Sequence, residues 1–178
     1  MYIRVSTAAL ALTLVSGIAS AQSASPVAQA FRDEAASSAK NLIAAAEDFP
    51  AAKYGYKPTK PQMTFGAIVA HLSEGNDYLC GKIGGMTTPK RTKIAATDKK
   101  DALVARLKET FEFCSQALTP LDDSKLGEMM PVFFSPKPMS RAAVIIETTA
   151  DWADHYSQSA IYMRLNGILP PTAKKPAK

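Results

Sequence analysis

The chain contains two histidines, His71 and His155, and their neighbours decide what chemistry they can support. Asp151 precedes His155 by four residues, and residues four apart lie on the same face of an α-helix. If His71 is contributed by a second helix, the three side chains can chelate one ion. Two imidazoles and one carboxylate suit Zn, Fe, Ni, Co or Mn, with open positions for water or substrate. The pattern predicts a divalent-metal site at His71, Asp151 and His155, with Glu74 and Asp154 as outer partners.

A structural role for the same residues is the alternative. A histidine on a helix is more often structural than a metal ligand, and Asp151 with His155 would then form only an i,i+4 pair. The chain has no HExxH, CxxC, P-loop or GxSxG motif, so Ser/His/Asp catalysis has no local support. The sequence therefore assigns no catalytic residue and predicts no organic cofactor.

Four amphipathic helices are predicted to position these residues. The first spans 26–46, the second follows the cap Thr64 and ends at Gly84-Gly85, the third is capped by Thr97 or Asp98, and the fourth follows Ser140 and ends near Gly167. The stripe of the fourth helix includes Ile145, Trp152, Tyr162 and Leu165. A long linker at 121–139 is expected to contain a helical turn at 126–130, and no strand is predicted. The fold class is all-α, a four-helix bundle.

The cysteines Cys80 and Cys114 constrain how these helices connect. Two cysteines in an oxidising compartment favour one disulfide, and two buried free thiols are the alternative. Each cysteine lies sixteen residues beyond an expected cap, Thr64 or Asp98. Both are thus ~24 Å along their helices, and they come level only if the helices run parallel. A disulfide predicts parallel helices with long crossover loops, whereas an up-down-up-down bundle would leave both thiols unpaired.

The first residues predict export. Arg4 supplies a positive start, an apolar run follows over 5–18, and Ala19-Ser20-Ala21 forms a small-x-small cleavage site. This run is shorter than the ~20 apolar residues of a membrane anchor, so 1–21 is predicted to be a cleaved signal peptide and the protein periplasmic or secreted. The bundle would occupy 22–172, followed by a disordered basic tail at 173–178. Net charge is +5, with basic clusters in a loop at 89–93 and in the tail. Solvated loop charge is favoured there, and no nucleic-acid partner is predicted.

Two segments resemble exported members of the DinB-like family. One is Tyr54–Thr59 with Met63–His71, and the other is Asp154–Gln158 with Tyr162–Pro171. The resemblance implies a four-helix bundle with up-down-down-up connections, which agrees with the cysteine argument. It also implies a divalent metal held by three histidines, one on the second helix and an HxxxH pair on the last. His71 and His155 match two of them, whereas Asp151 stands in place of the third.

The resemblance leaves two hypotheses for function. The first is an exported metal-binding bundle that acts on a small-molecule substrate as a metal-dependent hydrolase or thiol transferase. The second is a non-catalytic bundle that binds a small ligand or a protein partner, with the metal site lost. Such bundles also form homodimers, so oligomeric state stays open. A bundle fold does not by itself name a substrate.

Overall fold

Four α-helices dominate residues 25–174, the part of the chain that the computed structural model describes. They are α1 (Pro26–Asp48), α2 (Phe65–Gly84), α3 (Lys100–Leu118) and α4 (Arg141–Leu165). Short 3₁₀ turns cover Ala51–Lys53, Asp123–Lys125 and Pro171–Ala173, and β1 (Met129–Met130) pairs antiparallel with β2 (Met139–Ser140). The predicted all-α class is confirmed, while the predicted signal peptide lies outside the described residues. Within 25–174 no helix has both the length and the hydropathy to cross a bilayer.

Contacts between α2 and α3 show that these helices run parallel. The amide of Asn76 donates a hydrogen bond to Thr110 Oγ1 at 3.3 Å, and the two residues are 34 apart in sequence. Cys80 and Cys114 form a disulfide across the same pair of helices, and they too are 34 residues apart. Because the offset is constant, the two helices advance in the same direction. The parallel course predicted from the cysteine spacing is confirmed.

The remaining helices run antiparallel to this pair. Arg141, at the start of α4, donates to the carbonyl oxygen of Lys82 at 3.2 Å, near the end of α2. Lys100, at the start of α3, donates to the carbonyl oxygen of Phe49 at 2.9 Å, just after α1 ends. The helices therefore follow the predicted up-down-down-up order. The connection before α3 crosses the length of the bundle, whereas the long connection before α4 joins helix ends at the same end of the bundle.

Two of the predicted helix caps are confirmed and one is wrong. The hydroxyls of Thr64 and Ser140 accept hydrogen bonds from the backbone N–H three residues on, at 3.1 and 3.2 Å. The third helix was predicted to follow Thr97 or Asp98, but its first flanking residue is Lys99. The carboxylate of Asp98 instead accepts from a backbone N–H three residues before it, at 2.9 Å. It closes the turn that precedes the helix, so it is not available as a cap.

The linker between α3 and α4 forms a hairpin where a helical turn was predicted at 126–130. The 3₁₀ turn ends at Lys125, and Met129–Met130 pair with Met139–Ser140, so the prediction of no strand is also wrong here. The carbonyl of Glu128 accepts from the backbone N–H of Arg141 at 2.8 Å. Strand pairing satisfies backbone groups as the linker crosses the start of α4. As a result the intervening segment, 131–138, forms a loop that buries Val132 in the core and leaves Phe133 largely exposed.

Trp152 lies at the centre of the bundle. Its ring stacks on Phe31 of α1 with centroids 5.8 Å apart, and Phe111 of α3 lies at the same distance. Its indole N–H donates to Oδ1 of Asn76 on α2 at 2.8 Å. The side chain therefore contacts all three other helices. Leu165, predicted on the same stripe, is 60% exposed because it is the last residue of α4.

Two basic segments are more ordered than the sequence indicated. Arg91 of the basic loop forms ion pairs with Asp77 at 2.7 Å and Glu109 at 3.2 Å, so this loop charge is paired rather than free in solvent. The predicted disordered tail starts at 173, yet Lys174 is placed by an ion pair with Asp48 at 2.6 Å. Residues 175–178 lie outside the described residues.

Removal of the disulfide tests its contribution to stability. Replacing Cys80 and Cys114 together by alanine is expected to lower the free energy of unfolding by about 3–4 kcal/mol, because the bond closes a loop between residues 34 apart in the unfolded chain. Urea denaturation of both proteins measures the difference. Mass spectrometry of the unreduced parent should show the two cysteine peptides linked. Free thiols in that sample would contradict the assignment.

Close packing between α2 and α3 gives a second prediction. A Cβ added at Gly84 would lie 2.0 Å from the carbonyl oxygen of Ala117, which is backbone and cannot rotate away. Gly84→Ala should cost at least about 2 kcal/mol of unfolding free energy. Gly75→Ala on the same helix is the matched control, since its Cβ meets nothing within 4 Å and alanine favours the helix by about 0.5–1 kcal/mol. Equal urea midpoints for the two variants would contradict this packing.

Candidate metal centre

His71, Asp151 and His155 meet where α2 packs against α4. Oδ1 of Asp151 lies 3.6 Å from Nε2 of His71 and 3.3 Å from Nε2 of His155. One ligand atom from each residue lies within 4.8 Å of the other two. Asp151 and His155 share a face of α4 because they are one turn apart, and antiparallel packing brings α2 alongside. The three residues singled out from the sequence are therefore adjacent.

The spacing of these atoms fits a divalent ion. Bonds of ~2.1 Å to a tetrahedral ion hold neighbouring ligand atoms ~3.4 Å apart. The separations of 3.3 and 3.6 Å between the aspartate oxygen and the imidazole nitrogens bracket that value. Both are longer than an ordinary charge-assisted hydrogen bond of ~2.7–2.9 Å. The donor set, two imidazoles and a carboxylate, is one that Zn, Ni, Fe or Mn accepts.

Burial is graded across the cluster. The side chain of His155 is 9% exposed, that of Asp151 is 31% exposed and that of His71 is 48% exposed. The cluster thus opens to solvent on the α2 side, where a substrate could approach.

The outer partners predicted from the sequence do not contact the histidines. Asp154 is exposed on α4 and accepts a hydrogen bond from Gln158 at 2.6 Å. Glu74 is exposed on α2 and acts on His71 through its charge. Nδ1 of His155 is buried and has no hydrogen-bond partner among the described residues. Ligating histidines usually donate this N–H to a carboxylate or carbonyl, so on its Nδ1 side His155 is held by packing and not by a hydrogen bond.

The electrostatics of the cluster favour an ionised carboxylate. The polar contact with Asp151 raises the pKa of His71 above its ordinary value of 6.5, and the charges of Asp151 and Glu74 add to this effect against partial burial. Burial by itself would raise the pKa of Asp151. The contacts with His155 and His71 outweigh that burial, so the pKa of Asp151 lies well below its ordinary value of 3.8. At neutral pH the cluster therefore presents a fixed negative charge to a cation.

An apolar cleft of about 330 Å³ adjoins the cluster, and sequence reasoning did not find it. His71 and Asp151 form part of its lining, together with Gly75, Tyr78, Leu79, Phe133, Phe134 and Glu147. Two of these residues come from the hairpin loop, whose fold was predicted incorrectly. The available signal was a pair of adjacent phenylalanines in a proline-rich linker. A larger groove, about 580 Å³, runs between α1 and α3 and includes neither histidine.

Comparisons with known proteins agree with this architecture. The crystal structure of a DinB-like protein, YjoA, from Bacillus subtilis is similar with a TM-score of 0.65, over 83% of this chain and 99% of that chain. Sequence identity is 16%, so this likeness shows a shared fold. No functionally curated protein matches the chain. The family model of the DinB superfamily matches residues 35–159, a span that includes His71, Asp151 and His155. Because that match covers more than half of the 178 residues, the chain belongs to the DinB superfamily.

Proposed function

We propose that this chain is an exported, metal-dependent enzyme that activates a nucleophile, water or a low-molecular-weight thiol, for attack on a small-molecule substrate. The observation that carries the proposal is the convergence of three ligand atoms from His71, Asp151 and His155 beside an open cleft. The reaction class is hydrolysis or thiol transfer. Three protein ligands leave further coordination positions free, which is the arrangement of catalytic rather than structural sites.

Each residue of the cluster has a distinct role under this proposal. The imidazoles of His71 and His155 would hold the ion, and Asp151 would contribute one negative charge. A bound divalent ion would supply Lewis-acid polarisation at an open position. The buried His155 anchors the set within the bundle, whereas the half-exposed His71 stands at its entrance.

The carboxylate of Asp151 replaces an imidazole of the three-histidine set that the family resemblance implies. A carboxylate is a harder ligand than imidazole, and it removes one unit of charge from the loaded site. Both properties move the preference away from soft ions such as Cu(I) and towards Zn, Fe(II) or Mn. The separations of 3.6 and 3.3 Å from Oδ1 of Asp151 to the two imidazoles match the spacing of ligand atoms around one ion, which supports coordination by this residue in place of the missing imidazole.

The export part of the proposal depends on the N-terminal pattern, which ends in Ala19-Ser20-Ala21. The Cys80–Cys114 disulfide supports it, because such bonds persist in oxidising compartments and are rare in the cytosol. Intact-mass measurement of protein released from the periplasm should show a chain that begins at Gln22. Recovery of the full-length chain in the cytosol alone would contradict export.

One observation favours the alternative, a non-catalytic bundle that binds a small ligand. The carboxylate of Asp151 already lies within ion-pair distance of both histidines, so the cluster is electrostatically satisfied without an ion. Under this alternative the protein would bind no metal, and chelators would leave its stability and its ligand binding unchanged. Metal analysis separates the two functions directly.

Metal binding is the first test of the proposed function. Untagged protein dialysed against Zn, Ni, Mn or Fe(II) should retain close to one ion per chain by elemental analysis. His71→Ala should weaken metal binding by more than about 100-fold, because substitution of residues that only support a ligand already lowers metal affinity by about 10–100-fold. Asp151→His, which restores a third imidazole, should bind Zn or Ni at least as tightly as the parent.

Glu74→Ala is the matched control for this test, since Glu74 is exposed, lies on the same helix as His71 and contacts neither histidine. It should retain the ion. Parent protein that retains no ion under any of these conditions would refute the metal centre and leave the binding bundle as the function.

The stability of the metal-free protein should depend on pH through the same cluster. Because the pKa of His71 is raised on folding, its interaction with Asp151 stabilises the fold fully below about pH 6.5, the ordinary value, and this stabilisation is lost as pH rises through the folded-state pKa. Because the pKa of Asp151 is lowered on folding, its ionised carboxylate stabilises the fold above about pH 3.8, the ordinary value, and this stabilisation is lost as pH falls through the folded-state pKa. Asp151→Asn should therefore cost more stability at about pH 5.5 than at about pH 8.5.

Urea denaturation at both pH values measures this difference in the presence of a chelator. Asp154→Asn, at an exposed position on α4 away from the histidines, should show no such change with pH. A cost of Asp151→Asn that is equal at the two pH values would show that His71 and Asp151 do not interact in solution.

A further inference from the structure

We infer that the cleft beside His71 and Asp151 binds an uncharged apolar group of the substrate, such as an aryl or branched alkyl group, and that Gly75 sets the depth of the cleft. This inference deepens the proposed function and rests on it, because it assigns the substrate class of the same site. It is carried by three observations: the walls of the cleft, the position of Gly75 and the charge at the rim.

The walls of the cleft are mainly hydrophobic side chains held in place by the hairpin loop. The ring of Phe133 contacts the rings of Tyr78 and Phe134 edge-on, with centroids 5.0 and 5.4 Å apart. The backbone N–H of Phe133 donates to the hydroxyl of Tyr78 at 3.1 Å, which ties the loop to α2. Phe133 is nevertheless 81% exposed. A volume of about 330 Å³ is at the lower end of the range for small-molecule sites.

Gly75 is the glycine of α2 that helix packing does not explain. A Cβ added at Gly66, Gly81 or Gly84 would lie 2.0–3.0 Å from a backbone oxygen of a neighbouring segment, so close approach requires glycine at those positions. A Cβ at Gly75 would meet nothing within 4 Å, although glycine in a helix interior lowers stability relative to alanine. Gly75 lines the cleft one turn after His71. The missing side chain therefore leaves space for a ligand rather than for another helix.

Charge at the rim selects against anions. Glu147 lines the cleft, is exposed and has no ion-pair partner among residues 25–174. Asp151 adds a second carboxylate to the lining. The ammonium of Lys82 lies 5.8 Å from the centre of the Tyr78 ring in a cation–π contact, so one cation offsets part of the charge of these two carboxylates. An acyl or aryl group with a negative charge of its own would meet repulsion from Glu147, whereas an uncharged group would bury apolar area against the rings.

The test titrates metal-free mature protein with primary alcohols from propanol to hexanol and with benzyl alcohol. Changes in NMR chemical shift measure the affinity for each alcohol. Each added methylene should raise affinity about fourfold until the cleft is filled, as expected for burial of one CH₂ at about 0.8 kcal/mol. Hexanoate should bind more weakly than hexanol, and Glu147→Gln should reduce that difference. Affinity that does not depend on chain length would overturn the inference.

Gly75→Leu tests the depth of the cleft. Leucine favours the helix and its side chain enters the open space, so the variant should fold and should bind hexanol at least about tenfold more weakly. Ala153→Leu, at an exposed position of α4 that does not line the cleft, is the matched control and should bind like the parent. Unchanged hexanol binding in Gly75→Leu would also overturn the inference.

Elemental analysis of the same variant separates the two proposals. Gly75→Leu should retain the ion, because Gly75 is not a ligand. If the parent binds the alcohols but no metal, the cleft is supported as a binding site and the proposed metal centre is refuted. If the parent binds metal but its affinity for alcohols does not depend on chain length, the proposed role of the cleft is refuted and the metal centre is supported.

Discussion

The buried hydrogen bond from the indole of Trp152 to Asn76 is the interaction on which the site depends most. An unpaired polar group in this position would cost the free energy of its desolvation, so the bond fixes how α2 and α4 align. Asn76 also bonds to Thr110, and the Trp152 ring stacks on Phe31. Asn76 and Trp152 together therefore set the relative positions of the four helices. Trp152 directly follows Asp151 in sequence. The same alignment therefore decides whether His71 of α2 lies next to Asp151 and His155.

A second constraint is the parallel course of α2 and α3. The disulfide and the small contact surface at Gly84 hold these helices close at one end, where a Cβ could not be accommodated. Parallel neighbours require a long connection, and residues 85–99 carry the chain back along the bundle before α3 begins. The connection before α4 joins two helix ends at the same end of the bundle and forms the hairpin there. That hairpin supplies Phe133 and Phe134 to the cleft, so it adds an apolar wall next to the candidate metal centre.

Asp151, which stands where the family resemblance implies a histidine, sets the electrostatics of the candidate metal centre. A carboxylate with a lowered pKa stays ionised at neutral pH and carries its charge between two imidazoles. Without an ion it can accept polar contacts from both histidines, and with an ion it can compensate part of the charge. A neutral imidazole could accept one such contact but would bring no negative charge. The candidate centre therefore combines a paired metal-free arrangement with a spacing of ligand atoms that fits a divalent ion.

The sequence by itself determined the four helices and the candidate ligand set of His71, Asp151 and His155, because these depend on helical spacing. Caps such as Thr64 and Ser140 and the four-residue spacing of Asp151 and His155 are encoded within one or two turns of helix. The matched positions of Cys80 and Cys114 are encoded by their distance along each helix. Even the parallel course of α2 and α3 followed from counting residues along two helices.

Only the tertiary structure decided what surrounds that ligand set. Periodicity could not reveal that Phe133 packs on Tyr78, because the two residues are 55 apart, all of α3 lies between them, and the loop that carries Phe133 has no repeating pattern. Nor could it separate Gly75, which faces open space, from Gly84, which touches a neighbouring backbone. Asp154 looked like an outer partner by spacing, yet it points into solvent because packing rotates α4 to bury His155. Contacts between distant segments depend on the packing of the whole bundle, and no local pattern records that packing.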